Sequence, residues 1–183
     1  INLKPEDATG YYRRGTVYQK IEHYTEALVD YGEVIHLDPE MSQALNGMGS
    51  IYHALGRYDD ALSQYDRAIQ VDPQQPDYFN NRGLTYLSLE RYQEALRDFE
   101  EAIRLDPTYA VAYRNRGEAT KSLGRLTEAL VYYGEAIRID SNDALAFYYR
   151  GLTYRALGRR SQALDDLDEA ERLNPDLAAS PRN

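Results

Sequence analysis

The chain has 183 residues, a formal charge of −9, 18 tyrosines and no cysteine. That excludes disulfides, thiolate zinc sites and cysteine nucleophiles, and no stretch approaches the run of about 18 apolar residues that a membrane helix needs. The acidic balance is a poor match to nucleic acid or an anionic membrane, so neither is an expected partner, and with no signal peptide visible the expected location is cytoplasmic.

The opening phrase INLKPEDA returns as IHLDPEMS at 35–42, IQVDPQQP at 69–76 and IRLDPTYA at 103–110, each copy 34 residues after the last. A fixed period of this length is the mark of stacked repeats. It divides the chain into 8–41, 42–75, 76–109, 110–143 and 144–177. Residues 1–7 read as the last turn of a preceding, truncated repeat, because Ile1, Leu3 and Pro5 fall in phase with Ile35, Leu37 and Pro39. Residues 178–183 read as a C-terminal tail, which Pro181 stops.

Each copy predicts two helices, with apolar and small residues three and four apart, as in YFNNRGLTYLSL and then YQEALRDFEEAIRL. The second helix is expected to start on the N-caps Thr25, Asp59, Thr127 or Ser161 and to stop at Asp-Pro, since the residue before proline is pushed out of helical geometry. One column is all glycine (Gly15, Gly49, Gly83, Gly117, Gly151), and three residues later come Tyr18, Tyr52, Tyr86, Thr120 and Tyr154. Next is an alanine column (Ala27, Ala61, Ala95, Ala129, Ala163), then Tyr31, Tyr65, Phe99, Tyr133 and Leu167. The prolines Pro39, Pro73, Pro107 and Pro175 close their repeats, with Ser141 in the fourth. With Tyr24, Tyr58 and Tyr92, three columns hold ten of the 18 tyrosines, so the tyrosine excess reads as packing. One such hairpin cannot bury its apolar faces alone; five stacked copies can.

This pattern resembles the tetratricopeptide repeat (TPR) over residues 8–177. The resemblance implies an all-α fold, a right-handed superhelical α-solenoid of stacked antiparallel helix pairs, with first helices lining a concave groove and second helices the convex face. In the column Ile35, Ile69, Ile103, Ile137, the fifth copy has Glu171, a polar replacement expected of a terminal repeat.

Charge separates by helix. The five first helices carry nine basic and two acidic residues, whereas the second helices carry 17 acids and five arginines. Arg14, Arg82, Arg116 and Arg150 recur just before the glycine, and 16 residues on come Asp30, Asp98, Tyr132 and Asp166; the second copy has Met48 and Gln64. The co-occurrence predicts an ion pair within a repeat, with Arg116 facing a tyrosine ring instead. The remaining groove cations are Arg13, Lys20, Arg114, Lys121 and Arg155, opposed by Asp77 and Glu118.

By resemblance, groove asparagines hold the backbone of an extended peptide, a role suited to an amide that both donates and accepts. The candidate peptide-binding residues are Asn46, Asn80, Asn81, Arg114, Asn115 and Lys121. The carboxylate clamp of chaperone-binding relatives is not predicted: Glu118 follows Arg114 by one turn, and the corresponding pairs are Tyr12 with Thr16 and Asn80 with Leu84. No catalytic, cofactor or metal site is expected. The histidines His23, His36 and His53 lack ligand spacing, and no Gly-rich phosphate loop occurs. The expected function is a protein-interaction module or scaffold that binds a peptide segment of a partner, acidic in character, in the groove. The alternative is a structural spacer or self-association element of a larger multidomain protein with no peptide ligand. A homo-oligomer would form through the N-terminal side around Tyr11, Val17 and Tyr18.

Overall fold

The computed structural model describes residues 7–179, and all regular structure among them is helical. In chain order the helices are α1 (Ala8–Lys20), α2 (Tyr24–Leu37), α3 (Ser42–Ala54), α4 (Tyr58–Val71) and α5 (Pro76–Ser88). They continue as α6 (Tyr92–Leu105), α7 (Ala110–Ser122), α8 (Leu126–Ile139), α9 (Ala144–Ala156) and α10 (Arg160–Leu173), followed by a 3₁₀ turn, Pro175–Ala179. The expectations for Ile1, Leu3, Pro5 and Pro181 fall outside the described residues.

The chain divides into two compact units, Ile1–Thr85 and Tyr86–Asn183. In the first, α1 packs on α2, α3 packs on α4, and α2 meets α3. In the second, α7 packs on α8 and α9 on α10, with α6 against α7 and α8 against α9. First helices of successive repeats also touch, α1 with α3 and α7 with α9, so each unit presents a wall of first helices.

Glycine and aromatic columns meet inside each repeat. A Cβ on Gly15 would lie 2.9 Å from the ring of Tyr31, one on Gly49 2.6 Å from Tyr65, and one on Gly117 2.7 Å from Tyr133. Tyr31 also fills the space beside Gly47, where a Cβ would be 2.7 Å from the ring, so one side chain wedges between α1 and α3. Its hydroxyl donates to Gln19 Oε1 at 2.7 Å. Leu167 takes the ring's place against Gly151. These rings are among the most buried side chains, and each contributes roughly 1.5–3 kcal/mol by leaving water.

The N-caps of the second helices lie two residues earlier than expected. Thr25, Asp59, Thr127 and Ser161 sit inside the first turn, and the N-cap positions are His23, Arg57, Arg91, Arg125 and Arg159, none with a side-chain cap hydrogen bond. The cause lies upstream. A residue with positive φ reverses the chain in each repeat: Glu22, Gly56, Glu90, Gly124 and Gly158. The next N–H then closes back on the first helix, as Arg57 N donates to Tyr52 O at 2.9 Å and Arg91 N to Tyr86 O at 2.9 Å. The helix therefore begins at once, and in α2, α4, α6 and α8 acids of the first turn meet the helix dipole in place of a cap, whereas α10 has none there. Arg57 pairs with Asp60 at 2.7 Å and Arg91 with Glu94 at 2.9 Å. Tyr52 and Tyr86 stack under those arginines at 4.5 and 4.6 Å, so this tyrosine column holds turns as well as core.

The repeat ends are set by the aspartate as much as by the proline. Asp38, Asp72, Asp106 and Asp140 leave the helix and accept at Oδ1 from the N–H two residues on, at 3.1, 3.1, 2.8 and 2.9 Å; Asn174 does the same at 3.1 Å. This turn explains why Ser141 is tolerated in the proline column. The Thr108 hydroxyl and N–H hold the Asp106 carboxyl below its ordinary range.

Glu22 and Glu90 occupy the positive-φ position at φ 61 and 57, where the other copies have glycine. A Cβ there is strained by about 1 kcal/mol. Glu22→Gly should therefore raise the chemical-denaturation midpoint, and an unchanged or lowered midpoint would show that the turn is unstrained.

Candidate functional site

Within the first unit, three polar pairs run along the wall of first helices. Ser42 of α3 lies 3.0 Å from the Tyr78 hydroxyl of α5. Asn81 Nδ2 of α5 donates to Asn46 Oδ1 of α3 at 3.1 Å. His53 Nδ1 of α3 lies 2.9 Å from Thr85 Oγ1, whose hydroxyl reaches the Asn81 carbonyl at 3.0 Å. Asn46 and Asn81 are half-buried and Asn80 is buried. One bond between the two amides leaves Asn81 a second N–H and its own oxygen, and Asn46 both its N–H groups.

Burial lowers the pKa of His53 below its usual 6.5. The folded state thus binds this proton less readily than the unfolded chain. The associated stability is complete above the unfolded pKa and is lost as pH falls through that value toward the lowered folded one. Urea midpoints at about pH 7 and pH 5 should differ less for His53→Gln than for the parent chain; an equal difference would remove His53 from the acid response.

In the second unit, α7 and α9 form the wall. Arg114 does not stand free as a groove cation. Its Nη1 donates to both oxygens of Asp143 at 2.7 Å, with side-chain exposures of 17% and 5%. Asp143 also accepts from Ala146 N at 3.0 Å and so caps α9. Asp143 was absent from the expected wall. Its place before an apolar run signals an N-cap, but its distance of 29 residues from Arg114 gives no local sign of pairing. Lys121 is half-buried and lies 5.2 Å from the ring centre of Tyr149, a cation–π contact. Burial, and then the Glu118 charge, push the Tyr149 phenol up, which keeps it a neutral donor. Asn115 is buried. Arg13, Lys20 and Arg155 are exposed. The six expected binding residues thus divide into Asn46, Asn80 and Asn81 in the first unit and Arg114, Asn115 and Lys121 in the second.

The arginine column is structural where it is paired. Arg14 binds Asp30 through two parallel bonds of 2.8 and 2.6 Å, and Arg150 binds Asp166 through two of 2.7 Å. These hydrogen bonds raise the pKa of both arginines further. Arg116 lies 4.5 Å from the ring centre of Tyr132, as expected for the copy without aspartate, and its Nε is buried without a partner. The same arginines also reach back to the preceding repeat: Arg82 meets Asp66 at 2.7 Å and Arg116 meets Glu100 at 3.5 Å. Arg82 and Asp98 belong to different units, and their pairing stays a proposal.

Comparison with known proteins follows this frame. The sequence profile described as TPR repeat matches residues 49–90 and 119–158, and tetratricopeptide repeat profiles match 8–41, 76–109 and 144–177. The chain belongs to the tetratricopeptide repeat family. No curated protein matches it significantly. Among solved structures, it resembles YrrB, reported as a TPR protein with an unusual peptide-binding site, at 28% identity and TM-score 0.71, covering 94% of this chain and 90% of that one. TTC0263, a thermophilic TPR protein of Thermus thermophilus, gives 20% and 0.79 over 93% and 95%. PilF of Pseudomonas aeruginosa gives 19% and 0.85 over 96% and 85%. The last two support the fold alone. As a TPR array, the chain has the architecture of a protein-interaction scaffold, and TPR proteins are generally non-enzymatic interaction modules. Among the described residues, no group of acids and histidines is arranged to hold a metal ion, and no helix is long and apolar enough to cross a membrane.

Proposed function

We propose that this TPR array binds an extended peptide segment of a partner protein along its first-helix walls. The observation that carries the reading is the Asn46–Asn81 amide pair, joined across α3 and α5 at 3.1 Å and half-buried, with donors and an acceptor left to grip a peptide backbone. The peptide site reported for YrrB, a similar TPR protein, supports it. The favoured segment is acidic. Arg114 contributes little charge because Asp143 neutralises it. In the first unit the attraction rests on Arg13 and Lys20 and in the second on Lys121 and Arg155, none of which has an ion pair among the described residues.

The test uses a random dodecapeptide display library. A selected peptide is titrated against the parent chain, Asn46→Ala/Asn81→Ala, Lys121→Ala/Arg155→Ala, and the second-helix pair Arg67→Ala/Arg97→Ala, at low and high salt. Loss of the amides should weaken binding about tenfold or more. For a peptide held by the second unit, the Lys121/Arg155 variant should lose most of the salt dependence, while Arg67→Ala/Arg97→Ala binds as the parent does. Equal losses in all three variants, or selection of basic peptides, would contradict the reading.

A further inference from the structure

His53 stands two turns beyond Asn46 on the same face of α3. Its Nδ1 lies 2.9 Å from Thr85 Oγ1, and that hydroxyl also lies 3.0 Å from the Asn81 carbonyl oxygen. The Asn46–Asn81 pair and the His53–Thr85 pair thus tie α3 to α5 at two levels of one wall. Thr85 has a single hydroxyl proton, and a carbonyl oxygen can only accept. One assignment alone makes both contacts hydrogen bonds: the hydroxyl donates to Asn81 O, and Nδ1–H donates to Thr85 Oγ1. A neutral ring with its proton on Nδ1 leaves Nε2 a bare acceptor. Nε2 has no partner among the described residues, where the buried polar atoms without one are Arg116 Nε and the Tyr133 hydroxyl, so half-buried His53 keeps it open to solvent.

The surroundings hold the ring neutral. From α4, Tyr58 lies 5.4 Å away between ring centres, and buried Tyr65 gives its hydroxyl to Ser50 Oγ at 3.3 Å. From α5 comes the uncharged Thr85. Burial alone sets the His53 proton affinity, with no contribution from a charged group of α1, α2, α4 or α5 among the described residues. We infer that His53 is a further contact of the peptide site proposed above, its Nε2 accepting an N–H of the bound segment, and that protonation of the ring switches this contact off. A backbone amide or a carboxamide side chain would serve as the donor. The ring and the amide pair are about 10 Å apart along α3, a span that an extended segment covers in about three residues. An imidazolium carries hydrogen on both nitrogens, so acid sets a donor against a donor. Its new charge attracts an acidic segment, but through water and salt, whereas the opposed N–H groups act at contact distance. Acid therefore weakens binding.

The probe is a histidine-free dodecapeptide selected on the parent chain at neutral pH and titrated between about pH 7.5 and pH 5, with circular dichroism to confirm folding. Affinity should fall about threefold or more across this range, and by no more than tenfold per pH unit, the limit for one proton. His53→Gln, whose amide oxygen still accepts, should bind with a flat pH profile. Thr85→Val frees Nδ1 and should both weaken binding at neutral pH and flatten the profile. Long-range ¹H–¹⁵N spectra of the free chain should show the neutral His53 ring protonated on Nδ1. Added peptide should lower the His53 pKa further and leave the exposed His23 and His36 unmoved. A ring protonated on Nε2, a parent profile as flat as that of His53→Gln, or tighter binding in acid would overturn the inference while the amide site stands. A peptide indifferent to Asn46→Ala/Asn81→Ala would overturn the peptide site in the first unit, and the role of His53 with it.

Discussion

Gly49→Ala should cost about 3 kcal/mol of folding stability, near the upper end for inserting one carbon into a packed core. The new Cβ would lie 2.6 Å from Tyr65 Cε1, and Tyr65 is almost fully buried with its hydroxyl 3.3 Å from Ser50 Oγ, so the ring has no ready retreat. Burial pushes the Tyr65 phenol up to about 12, so ionisation plays no part at neutral pH. Gly32→Ala supplies the control of opposite sign. Nothing lies within 4 Å of a Cβ there, and alanine in mid-helix is favoured over glycine by about 0.5–1 kcal/mol. Denaturant midpoints should move down for the first and up for the second. Similar shifts for both would mean that helix propensity, and not the glycine–tyrosine contact, sets the effect.

Breaking the Arg150–Asp166 pair should be of the same order. Both bonds are 2.7 Å long, and the Asp166 carboxylate is nearly buried. Asp166→Ala or Arg150→Ala strands a partly buried charge, at about 3 kcal/mol. The second repeat shows another solution: it has Met48 and Gln64 at these two positions and folds as the same hairpin. Arg150→Met with Asp166→Gln should therefore recover most of the loss in a double-mutant cycle. A double variant no better than the singles would mean that the two residues act independently. The same cycle on Arg82 and Asp98 tests the pairing proposed there.

The register of the repeats was legible because it rests on residues that cannot be exchanged freely. Glycine faces an aromatic ring at fixed phase, and Arg14 and Arg150 find Asp30 and Asp166 16 residues on. What escaped reading depends on geometry between distant residues or on backbone detail. The N-caps were misplaced because the positive-φ turn at Glu22 or Gly56 delivers the chain directly into the next helix, which makes Thr25 and Asp59 first-turn residues. The Asp-Pro ends were credited to proline, although the aspartate hydrogen bond recurs even where Ser141 stands. Arg114 resembled a free cation because Asp143, its neutralising partner, lies in the link before α9. The Asn46–Asn81 pair joins residues 35 apart, one more than the period, so a strict column comparison sets Asn46 beside Asn80.

The measurement that tests the central claim most directly is amide chemical-shift mapping on the ¹⁵N-labelled chain, titrated with a display-selected dodecapeptide. The shifts should concentrate on first helices, around Asn46 and Asn81 in α3 and α5 for a peptide on the first unit or around Lys121 in α7 for one on the second, and should leave α4, α6 and α8 nearly unmoved. Shifts confined to the acidic second helices, with Asn46 and Asn81 unaffected, would contradict the assignment of the first-helix wall as the peptide-binding surface.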